Sequence, residues 1–171
     1  MADSTGRTLS TGSGNSPDLV YAAFDWLARS QDNARKAHDD WREHGLTLLP
    51  VGSRFNSVCL NARIMRAAVG SDDLEVTAAT LAQLLDGPVI HGRPKNQFHA
   101  LTEVYPVSRW TCPEAPMLGK GHYVTVPASD LRGPTGLYWA VPPRVPGDLC
   151  AVQAIASLVA IARSSSQGRP W

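Results

Sequence analysis

The chain has 171 residues, 43% of them hydrophobic and 18% charged, with 16 basic against 15 acidic side chains for a net charge of +1. That length suits one ordinary domain, and the apolar fraction excludes a wholly disordered chain. The balanced charge excludes a general polyanion-binding field, so any nucleic-acid contact must be a local patch; no apolar run approaches the roughly 20 residues of a membrane-spanning helix.

Residues 1–16 are mostly Ser, Thr and Gly. They predict a disordered tail without the apolar core of a secretory leader, hence a cytoplasmic protein. Ser16-Pro17 then predicts a capped helix start, with Val20, Phe24 and Leu27 on one face. A second helix is expected from Gln31 to His44, burying Ala34, Ala37 and Trp41 and ending on Gly45. Leu46–Val51 reads as a strand, Gly52-Ser53 as a turn, and Phe55–Leu60 as the hairpin partner of that strand. Asn61 is placed to cap a helix carrying Ile64, Met65 and Ala68, closed by Gly70. Asp72-Asp73 lead into a helix over Val76–Leu85 that Gly87 stops.

Pro88–Ile90 and Gln97–Val104 read as strands around the polar loop Gly92–Asn96. A Pro-rich loop runs to Gly121, and strands follow at His122–Val126 and Leu137–Val141. Asp148 is expected to cap a last helix bearing Val152, Ile155, Leu158, Val159 and Ala162. The domain then spans 17–164, with a frayed end over 165–171. Hairpins mixed with helices, without regular βαβ alternation, predict a single α+β domain: a mixed or mostly antiparallel sheet flanked by helices.

Cys59, Cys112 and Cys150 form no CxxC pair and are odd in number, which predicts reduced, mostly buried thiols. A catalytic thiol at Cys112 with His99 or His122 as base is the sharper alternative. His91, His99 and His122 are candidates for a shared metal, although nothing in their spacing requires it. Gly119-Lys120-Gly121 reads as a tight turn before a strand, with a phosphate cradle as the alternative; it is not a Walker A sequence.

Gly119-Lys120-Gly121-His122-Tyr123-Val124-Thr125-Val126-Pro127-Ala128-Ser129, with Gly136-Leu137-Tyr138-Trp139 after it, resembles a stretch of the N-terminal domain of bifunctional DNA primase/polymerases. Gly87–Ile90 through Gln97–Leu101 is similar to that family's strand pair whose second strand carries a His, here His99. Leu49-Pro50-Val51-Gly52 through Asn56, Gly87-Pro88-Val89 and Trp139–Pro143 resemble phrases of short stand-alone actinobacterial relatives. The likeness covers about Trp41 to Pro143. It implies a sheet cleft for a nucleotide and a template strand, with two metal ions held by carboxylates on adjacent strands.

Two-metal phosphoryl transfer needs two or three convergent carboxylates. The predicted strands contain only Glu103. The family's Asp-x-Asp has no counterpart, Asn56 stands where the relatives place an acid, and Leu131 stands where a His follows the motif Ser. No catalytic or metal-binding residue is therefore assigned, and Mg2+ or Mn2+ enters only if nucleotidyl transfer survives.

The expectation is a degenerate primase/polymerase-like domain that holds nucleotide or single-stranded nucleic acid. Its contacts are expected at Arg93, Lys95, His99, Lys120, Ser129, Arg132 and Tyr138, since phosphates take the charge and bases stack on rings. Because Tyr138 and Trp139 are adjacent on a strand, they must face opposite sides. The alternative is a protein-interaction module with its surface on the Trp26/Trp41 helices or the 105–121 loop. An active primase is the third reading.

Overall fold

The computed structural model describes residues 16–167; the expected tail over 1–15 and the expected fraying over 168–171 lie outside them. Helices α1 (Pro17–Ala28) and α2 (Ala34–His44) lead into strands β1 (Leu46–Pro50) and β2 (Asn56–Asn61). Helices α3 (Ala62–Val69) and α4 (Leu74–Leu85) precede β3 (Val89–Gly92), β4 (Gln97–Thr102) and the short β5 (Met117–Leu118). Strands β6 (Tyr123–Pro127) and β7 (Leu137–Val141) and helix α5 (Val152–Gln167) complete the chain, α5 running past the expected boundary at 164.

The strands form a five-stranded sheet in the order β5-β2-β4-β3-β7 and a two-stranded ribbon of β1 and β6. Every strand pairing is antiparallel. This is the single α+β domain that the mixture of hairpins and helices predicts. The expected hairpin of β1 with β2 does not form: β1 pairs with β6, and β2 lies between β4 and β5. Burial explains the difference. β1 alternates exposed and buried residues, which suits a ribbon with one wet face, whereas β2 is buried on both faces for most of its length.

The sheet separates two cores. On one side α3, α4 and α5 pack Ile64, Leu81, Ile155 and Leu158 against Val58, Leu60, Phe98 and Ala100. On the other, α1, α2 and the ribbon pack Phe24, Leu27, Trp41 and Val126 against Ile90, Leu101 and Trp139. Two indoles fasten the ribbon: Trp41 donates to the Val126 carbonyl and Trp139 to the Pro127 carbonyl, each at 2.9 Å.

Helix ends follow local chemistry, with some reassignments. Asn61 caps α3 and Asp73 caps α4, as their side chains predict. Ser16 makes no side-chain cap, and α2 begins at Ala34 with Asn33 capping it rather than at Gln31. Asp86, at φ 50, ends α4 in place of Gly87. Gly87 serves a close approach instead, since a Cβ there would lie 2.5 Å from the Cys150 nitrogen. Asp148 does not cap α5: its carboxylate accepts from Arg144, while Glu103 accepts from the Val152 N–H at 3.4 Å. Among the described residues no helix is long and apolar enough to cross a membrane.

Candidate functional site

Strand register decides which side chains can act together. His99 on β4 pairs with Cys59 on β2 and with Ile90 on β3, and Ile90 pairs with Trp139 on β7. Directly paired residues share a face. His99 therefore shares its face with Cys59, with Ser57 and Leu101 on one side, and with Asn61 and Gln97 on the other. Ile90, Leu101 and Trp139 disappear into the core, whereas His99, Cys59 and Gln97 are half-buried and Asn61 is exposed.

The uncovered part of this face is thus a polar strip without formal charge. Burial holds the His99 imidazole below its ordinary value and pushes the Cys59 thiol up. Ser57 Oγ and His99 Nδ1, both buried, have no hydrogen-bond partner. The sequence pointed to His99 alone; Ser57, Cys59, Gln97 and Asn61 emerge once β2 and β4 are known to pair.

The expected cations bracket the strip instead of meeting on it. Lys120 lies in the β5–β6 turn at the Asn56 end of β2, its backbone pressed against Gly52, where a Cβ would come within 2.4 Å of the Lys120 nitrogen. The His122 N–H bonds to the Gly119 carbonyl at 3.1 Å, so Gly119–Gly121 is the tight turn its glycines predict. Arg93 and Lys95 sit in the β3–β4 turn, beyond the pair of Gln97 with Asn61. Six residues of β2 separate the two ends, roughly 20 Å of strand.

Arg93 donates to the Pro134 carbonyl at 3.0 Å, and Arg132 donates to the Ser129 carbonyl at 3.1 Å. Ser129 follows β6 and Lys120 precedes it, so the two lie beyond opposite ends of that strand. The expected convergence of these loops on one cleft is not found.

Tyr138 does not offer a stacking platform. It is 6% exposed, pairs with His91, and lies on the face opposite Trp139, as adjacency on a strand requires. Asn96 Oδ1 lies 2.9 Å from His91 Nε2, and the Tyr138 hydroxyl lies 2.7 Å from Nδ1. With the amide oxygen accepting from Nε2–H, Nδ1 is left to accept from Tyr138. His91 is thus consumed by structure, and burial lowers its pKa. His91 and His99 occupy opposite faces and His122 is exposed in a turn, so the three do not gather around one metal. Close to Lys120 in the chain the exposed ring is instead Tyr123, at 59%; Tyr21 of α1 is the other exposed tyrosine among the described residues.

Cys112 lies in the helix-side core, on the face away from His99, and burial raises its pKa; it forms no dyad with either His. All three cysteines are free thiols.

Asn56 is built into its place as an amide. It is 1% exposed, and its Nδ2 donates to the Tyr105 carbonyl at 3.0 Å and to Met117 Sδ at 3.4 Å. Both partners are acceptors, so a carboxylate would meet repulsion there. Leu131 packs into the core, and Glu103 caps α5. Among the described residues no group of three His, Cys, Asp or Glu side chains is arranged to hold a metal ion.

Comparison of the chain with family models, with curated proteins and with solved structures finds no match.

Proposed function

We propose that the domain holds single-stranded nucleic acid along the β2–β4 strip, as a primase/polymerase-like domain without nucleotidyl transfer. The observation that carries this reading is the polar floor of His99, Cys59, Gln97 and Asn61 with the Lys120 turn at one end and the Lys95 turn at the other, Arg93 being turned to the opposite face beside Phe98. Cations at the two ends of a strand-long strip suit separate phosphates of one extended chain better than one triphosphate, and the half-buried Gln97 and exposed Asn61 side chains suit base edges. The motif likeness at 119–129 and 136–139 supports the same class of ligand. The acceptor-lined socket of Asn56 supports binding over catalysis, because two-metal chemistry needs anions where this chain places an amide.

Fluorescence anisotropy with labelled single-stranded DNA tests the proposal. Binding is expected at low ionic strength and to weaken steeply with salt; Lys95→Ala and Lys120→Ala should each reduce affinity about three- to tenfold and flatten the salt slope. Absence of binding at low salt overturns it, and primer extension with Mg2+ or Mn2+ would restore the enzymatic reading.

A protein-interaction module is favoured by a different observation. Leu46 and Leu48 on β1 and Tyr123 on β6 are 37%, 55% and 59% exposed. Register places Pro50 beside Tyr123, on the same outer face of the ribbon as both leucines. On the Trp26/Trp41 helices, the other surface expected for such a partner, Trp41 is buried and Arg54 lies over Trp26 at 5.2 Å, so the exposed apolar side chains there are Leu19 and Tyr21.

A further inference from the structure

Between α1, α2 and the segment leaving β6 lies a cleft of about 550 Å³. Among the nucleic-acid contacts discussed above, only Ser129 touches it. Its wall is a train of rings: Tyr21 stacks on His38 at 5.3 Å, His38 meets Trp41 edge-on at 5.4 Å, and Trp41 meets Phe24 edge-on at 5.3 Å. These rings are held in place. Trp41 donates to the Val126 carbonyl, and His38 Nε2 lies against Asp25, each at 2.9 Å. Tyr21 is 63% exposed, so its ring is presented to a ligand.

Two side chains of opposite charge line the cleft, Arg42 and Asp130. Arg42 already rests against the Asp39 carboxylate. Asp130 has no hydrogen-bond or ion-pair partner among the described residues. The uncompensated charge in the lining is therefore negative, and it shares the cleft with the exposed Tyr21 ring.

We propose that this cleft binds a small organic cation of the alkylated-ammonium class, its charge facing Asp130 and its alkyl groups lying on the exposed ring of Tyr21, with the buried Trp41 and Phe24 rings packed behind as the rigid wall. Ring faces attract cations, and an alkylated ammonium has few hydrogen bonds to water to lose on entry. The volume falls within the range of small-ligand pockets.

The test compares choline with its uncharged isostere 3,3-dimethylbutan-1-ol on the full chain, read by saturation-transfer NMR and by tryptophan fluorescence. Choline is expected to bind saturably and the isostere at least about fivefold more weakly. Asp130→Asn should bring choline down to the level of the isostere while leaving single-stranded DNA binding unchanged. Tyr21→Ala, at an exposed position that does not threaten folding, should weaken both ligands. Equal affinity for the two compounds, an unaltered choline affinity in Asp130→Asn, or no saturable binding overturns the inference.

Discussion

Asn56 and the two sheet histidines show how much the surroundings of one side chain decide. Replacing Asn56 by Asp would set a carboxylate against the Tyr105 carbonyl and Met117 sulfur in a socket that is 1% exposed. We expect a loss of about 2–4 kcal/mol, read as a lower urea midpoint, and unchanged stability would refute the acceptor-lined socket. His91 and His99 are both held by burial below the ordinary value of 6.5. The unfolded chain takes up protons on these rings at a higher pH than the folded chain does, so stability rises with pH between the folded and unfolded values. It is complete above about 6.5 and declines as pH falls toward the folded values. The urea midpoint should be lower near pH 5.5 than near about pH 7.5, and the double variant His91→Gln/His99→Gln should flatten that slope. An identical slope in the variant would sink the assignment. His99 was legible as a candidate from the sequence, but the face it occupies was not, because a single strand does not announce its neighbours.

Elements and their ends were the most legible level. Asn61, Asp73, Gly45 and Gly70 act as their side chains, or lack of them, predict. Where prediction failed, a distant partner had won: Glu103 took the cap expected of Asp148, because Arg144 occupies that carboxylate. Glu103→Ala should therefore cost about 0.5–2 kcal/mol in thermal stability, the worth of a helix cap, and Asp148→Ala should act by releasing Arg144. Gly52 joins two elements that the sequence keeps far apart. At φ 102, with the Lys120 nitrogen 2.4 Å from any Cβ, Gly52→Ala should destabilise by at least about 3 kcal/mol and weaken DNA binding by displacing the Lys120 turn. Gly70→Ala is the control: φ is 81 but nothing lies within 4 Å, so only backbone strain of about 1–2 kcal/mol is expected in a thermal melt.

The whole molecule depends on how two sheets share one core. Trp139 belongs to the five-stranded sheet, bonds to the ribbon through Pro127, and meets Phe24 of α1 edge-on at 5.5 Å. A two-stranded ribbon alone is marginal in water, so its stability must come from packing on the rest of the fold, through this contact and the Trp41 bond to Val126. Trp139→Phe strands the Pro127 carbonyl and should cost about 1–3 kcal/mol. Circular dichroism and fluorescence should still give one coincident transition; a separate early melt of the ribbon would contradict the shared core. Length, composition and periodicity by themselves determined that this is one α+β domain, where most of its helices and strands lie, and that its strands hold almost no carboxylates, since these are properties of neighbouring residues. Folding in three dimensions decided that β1 pairs with β6, that Tyr138 and His91 turn inward, and that the expected cations lie at two ends of a neutral strip. Those outcomes depend on which strand lies beside which, and a shift of partner or register moves a side chain to a different neighbour or the opposite face.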